Sequence, residues 1–130
     1  MQTRRNPNVA PILDPERSPY LEAGIAEFNA GRHWHAHEEW EHLWLGLEGD
    51  DKLFVQGLIM AAAMLVQHSK GVARGVQNHW ANVQARLAPH AKWGIDVVGL
   101  LEQLAPFADD PSLDASAVRI LRRADGHPNP

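Results

Sequence analysis

Residues 53–68 read Leu-Phe-Val-Gln-Gly-Leu-Ile-Met-Ala-Ala-Ala-Met-Leu-Val-Gln-His. Projected onto a helix, this stretch is apolar almost all round, and a helix without a polar face is normally the buried centre of a bundle. Gly57, Ala61, Ala62 and Ala63 would let neighbouring helices approach it closely. Its longest apolar run, Leu58 to Val66, is about half of what a membrane-spanning helix needs. The spacing predicts a helix from Asp51 to about Ser69, capped by Asp50.

Outward from this centre the chain breaks into further helices. On the N-terminal side, Gly46 and Gly49 close a helix predicted over His33 to Leu47. Before it, Ser18-Pro19 reads as an N-cap with proline at the first helical position. Leu21, Ile25 and Phe28 then repeat at helical spacing up to Gly31. On the C-terminal side, Val72, Val76, Val83 and Leu87 stripe a fourth helix closed by Pro89. Asp96 caps a fifth carrying Val97, Leu100, Leu101 and Leu104. Residues 114–123 read either as a short sixth helix or, over Val118 to Leu121, as extended chain. No segment alternates with period two long enough to argue for a sheet. Short loops favour antiparallel neighbours, so the expected fold is all-α: a single-domain up-down helical bundle of about five helices. An extended, proline-punctuated arm is expected over 1–17, the bundle over 18–124 and a tail over 125–130.

Composition narrows the function. The chain has 130 residues, a net charge of −4 and no cysteine. Disulfides, thiolate metal sites and cysteine nucleophiles are excluded. The charge gives no reason to expect a nucleic-acid partner or a membrane surface. Arg4 and Arg5 are followed by Pro7, Pro11 and Pro15 rather than an apolar run, which fits a cytoplasmic protein better than a signal peptide. An all-round apolar helix in so small a domain hints at extra burial in a homodimer.

Four of the eight histidines and three of the five tryptophans fall between His33 and Trp44. At 100° per residue, Trp34, Ala36, Trp40, Leu43, Trp44, Leu45 and Leu47 share one arc, and His37 and Glu41 fall inside it. Glu38 lies at its margin, while His35, Glu39 and His42 take the opposite face. Ionisable groups in an apolar arc cost several kcal/mol unless paired, hydrogen-bonded or metal-bound. Three readings follow. In the first, His37 and Glu41 ligate a divalent metal ion, with Glu38 as further ligand or general base. Metal-bound hydroxide would then supply hydrolytic chemistry. In the second, Trp34, Trp40 and Trp44 line a pocket for a small molecule. In the third, His37 and Glu41 form a buried structural ion pair.

A metal site needs a further ligand from another helix. The central helix offers His68 as the metal candidate and Gln56 as the hydrogen-bonding one. They differ by about 120° in direction and about four turns in height, so one cluster cannot easily use both. His79, beside Trp80, is a weaker candidate. Two metal motifs are excluded. Glu39-x-x-His42 occurs once and on the polar face, whereas a di-iron bundle needs two such motifs plus two more glutamates. His42 is five residues from His37, so the zincin spacing fails.

Phe28-Asn29-x-Gly31, His37-Glu38-x-x-Glu41-x-x-Trp44 and Gln56-Gly57-Leu58-Ile59, in that order, resemble the bacterial and archaeal family called domain of unknown function 309. The resemblance covers roughly Tyr20 to Leu104. It implies a small all-helical protein whose His-x-x-x-Glu-x-x-Trp motif, matched by His37, Glu41 and Trp44, has been suggested to bind metal. It implies no established activity. His68 matches a position where such proteins often carry a histidine, and Gly75-Val76 stands where Gly-Ala is expected.

Overall fold

A computed structural model describes residues 13–122. Five helices follow in order: α1 (Ser18–Asn29), α2 (His33–Leu45), α3 (Gly49–Ser69), α4 (Ala73–Leu87) and α5 (Val97–Leu104). Single 3₁₀ turns stand at 88–90, 105–108 and 115–117. Among the described residues there is no strand, only an isolated antiparallel bridge between Ile95 and Arg122. The all-α bundle expected from the sequence is the observed fold. The tail expected over 125–130 and the first twelve residues of the expected arm lie outside the described residues. The rest of that arm is not extended: Leu13 is buried, and the amides of Arg17 and Ser18 donate to the Asp14 carbonyl.

α3 is the centre. It packs against α2 on one side and α4 on the other, and α1 covers the far side of α2. Phe54, Val55, Leu58, Ala61, Ala62, Met64 and Leu65 are fully buried. Gly57 is needed here, since a Cβ would come within 2.7 Å of Leu87 Cδ2. Ile59, Met60 and Ala63 are only half-buried. Among the described residues nothing covers the side of α3 that faces neither neighbour, and it forms the floor of the cleft described below.

The hairpins α1–α2 and α3–α4 turn by the same device. Gly31 (φ 82°) and Gly71 (φ 74°) adopt left-handed backbone just past their helices. The amides of Arg32 and Gly31 close onto the Glu27 and Phe28 carbonyls, and those of Val72 and Gly71 onto Gln67 and His68. This pattern satisfies the last carbonyls of a helix and needs glycine for the positive φ.

Four boundaries differ from the sequence expectation, the first at α1, which begins at Ser18 itself with Arg17 at the N-cap and no side-chain cap hydrogen bond. α2 ends at Leu45, two residues early, and Leu47 leaves the helix to be buried. α3 begins at Gly49, so Asp50 sits inside the first turn with Asp51 instead of capping it. There both carboxylates oppose the positive end of the helix dipole. Beyond a 3₁₀ turn, Val118 to Arg122 run extended, as the alternative reading had it, rather than as a sixth helix. Asn29 causes this: its side chain accepts from the Ile120 amide at 2.7 Å and donates to the Ile120 carbonyl at 3.0 Å. Both backbone groups of Ile120 are engaged as they would be in a sheet, which leaves nothing for a helical ladder.

Candidate functional site

Five residues singled out in the sequence meet on one cleft of about 240 Å³. α2 contributes His37, Glu41 and Trp44, α3 contributes Gln56, Ile59, Met60 and Ala63, and α4 contributes His79. The spacing explains the α2 wall, because i, i+4 and i+7 stack on one helical face. The floor comes from α3 positions 56, 59, 60 and 63, which share the side that α2 and α4 leave open.

The α2 wall is less buried than the projection predicts. Ala36, Trp40 and Leu43 are in the core, but Trp34 is 55% exposed and Leu45 71%. The apolar arc is narrower because, among the described residues, α2 packs mainly against α1 and α3. His37 and Glu41 therefore lie at its edge. The His37 side chain is 17% exposed and that of Glu41 56%. His37 Nδ1 stands 3.7 Å from Glu41 Oε1, too long for a hydrogen bond. An ion pair with so exposed a partner adds little stability. The buried structural pair is not what the geometry shows.

Two buried polar atoms of this cleft have no hydrogen-bond partner: His37 Nδ1 and Trp44 Nε1. Gln56 uses its Oε1 to accept from Arg86 Nε at 3.1 Å. Lys52 Nζ lies 4.1 Å over the Trp44 ring, a cation–π contact that fixes one face of the indole. Trp34 stacks on the His37 ring, with centroids 5.0 Å apart and planes within 8°. Burial holds His79 below the usual histidine range, and the neighbouring His37 pushes it the same way. His79 is thus neutral near pH 7.

The other expected site residues lie elsewhere. Trp40 is fully buried in the core, where its indole N–H donates to the Leu21 carbonyl at 3.3 Å. A Cβ on Gly24 would overlap that indole, so Trp40 is a packing residue and not a pocket wall. Trp34 reaches the site only through the His37 ring. Glu38 is exposed and does not line the cleft. His68 is also apart from it: its Nε2 bonds the Leu113 carbonyl at 2.6 Å and its ring meets the edge of Phe107. The C-terminal end of α3 points it at the 107–113 loop, so it cannot be the third ligand beside His37 and Glu41. His79, ranked lower in the sequence, takes that place by standing across α3 from His37.

A metal fits this donor set poorly. Among the described residues no three His, Asp or Glu side chains converge to hold one cation. Glu41 turns outward, and Gln56 is occupied by Arg86. No helix among the described residues is long and apolar enough to cross a membrane.

Fold and site together define a small all-helical domain with one polar-walled, apolar-floored cleft beside its central helix. Residues 21–79 match the family described as "Domain of unknown function (DUF309)", the family that the sequence motifs resemble. The match runs from α1 to the middle of α4, shorter than the resemblance expected, and contains every residue lining the cleft. The chain matches no curated protein and no solved structure.

Proposed function

We propose that the chain is a ligand-binding helical module and that the cleft between α2, α3 and α4 takes a small, largely apolar molecule. One observation carries this: two buried polar atoms, His37 Nδ1 and Trp44 Nε1, go unpartnered in side chains that wall the same apolar-floored cleft. Native proteins leave few buried polar groups unbonded, because each costs about 1–3 kcal/mol. Two on one wall are accounted for if something else binds there. At about 240 Å³ the cleft falls below the roughly 300–1,000 Å³ typical of drug-sized ligands. Its occupant is a metabolite-sized molecule.

The indole N–H of Trp44 reports on occupancy directly. In a ¹⁵N-labelled protein the Trp44 indole resonance, assigned with Trp44→Phe, should move on adding millimolar phenylacetate or phenylacetamide. The core Trp40 resonance should stay in place. If neither probe moves the Trp44 signal, the cleft is not such a site.

A further inference from the structure

We infer that the ligand of this cleft carries an anionic head, of carboxylate type, on its apolar body. This rests on the ligand-binding reading above and adds the chemical class. Three groups of the cleft offer donors, beside the acceptors that Glu41 and the neutral ring of His79 present. Trp44 Nε1 can only donate. His37 Nδ1 lies 3.7 Å from the Glu41 carboxylate, which favours the tautomer with hydrogen on that nitrogen. Gln56 has committed its carbonyl oxygen to Arg86, so its NH₂ is what it has left to offer. Unengaged donors without a matching acceptor call for an acceptor-rich group. A carboxylate, with two oxygens and about four lone-pair sites, answers them best.

The charge of the walls agrees. From Lys52 to Ile95, a span that takes in most of α3, all of α4 and the chain just beyond it, there are five Lys or Arg residues and no Asp or Glu. Two of these touch residues of the cleft without lining it: Lys52 over the Trp44 ring, and Arg86 through Gln56. Arg86 has no carboxylate partner within salt-bridge distance among the described residues. Among the described residues the one carboxylate lining the cleft is Glu41, whose side chain is more than half exposed. The floor of Ile59, Met60 and Ala63 takes the apolar body.

Three probes of one shape separate the outcomes: phenylacetate, phenylacetamide and 2-phenylethylamine, titrated into the full chain and followed at the Trp44 indole. Phenylacetate should bind about tenfold more tightly than the amide, as charge-assisted hydrogen bonds are about twice as strong as neutral ones. The amine should bind least. Glu41→Gln, which removes the only negative charge on the cleft, should tighten phenylacetate severalfold and leave the amide unchanged. Arg86→Gln should shrink the acid-over-amide preference. A structural role for Glu41 would give no such gain. Equal binding of acid and amide, or preference for the amine, overturns the anionic class but leaves the ligand-binding reading standing. No Trp44 response to any probe overturns both.

Discussion

The cleft beside the middle of α3 and the hollow at its C-terminal end are both lined with histidine, and His37 in the one and His68 in the other differ in what they have left to do. In the hollow, His68 is engaged on both counts: its Nε2 bonds the Leu113 carbonyl and its ring packs on Phe107. In the cleft, His37 Nδ1 is buried without a partner. Two tryptophans one turn apart on α2 repeat the contrast. Trp40 has its N–H on Leu21 and its ring in the core, while Trp44 keeps its N–H unbonded on the cleft wall. Residue type is the same in each pair. Whether the polar tip is already satisfied by the fold is what divides structural from available groups.

The largest test of that division is Trp40→Ala. Trp40 is fully buried, so its loss should cost about 3–5 kcal/mol, read as a fall in the denaturant midpoint. Trp44→Ala should cost far less, because Trp44 is only half-buried and its N–H stabilises nothing. Comparable losses would erase the distinction between the two rings. Next in size is His68→Ala. It strands the Leu113 carbonyl and removes the Phe107 contact, and should cost about 1–3 kcal/mol while the Trp44 response to phenylacetate is unchanged. Loss of probe binding without loss of stability would return His68 to the site.

Much of this was legible before any coordinates. The apolar run of 53–68 announced the centre of the bundle, and Gly31 announced its turn. The i, i+4, i+7 spacing put His37, Glu41 and Trp44 on one wall. What could not be read was register between helices. Trp40 and Trp44 fall in the same projected arc, and only the bare backbone of Gly24 on α1 decides that Trp40 enters the core. A glycine inside an otherwise regular α1 was the available signal, but a lone sequence does not say which ring it faces. Gln56 and His68 were known to be too far apart for one cluster. Which of them meets His37 depends on how α3 slides against α2, and sequence spacing carries no such information. His79 gained its place for the same reason: α4 lies beside α3 at a height that brings it across from His37. The extended run at 118–122 depended on Asn29, 91 residues away, and no local pattern encodes a clamp of that kind.

The smallest effect concerns His33, which shares the hollow with His68 but is not engaged as His68 is. It is only 9% exposed, its ring meets Phe28 edge-on at 5.1 Å, and its Nε2 is buried without a partner. Burial holds its pKa below the ordinary histidine value of about 6.5, so the fold keeps it neutral. The sign follows from which state binds more protons. As the pH falls through about 6.5 the unfolded chain protonates His33 while the folded chain refuses the proton, so stability declines on the acid side. His79 is depressed too and contributes in the same direction. Tm should therefore fall between pH 7.5 and pH 5.5, and His33→Gln, which cannot titrate, should flatten that fall without touching the probe response at Trp44. A Tm that rises on acidification, or a slope identical in His33→Gln, would mean that the ring finds a partner when protonated. The hollow would then hold an available histidine of its own, and the contrast with the cleft would narrow to His68 alone.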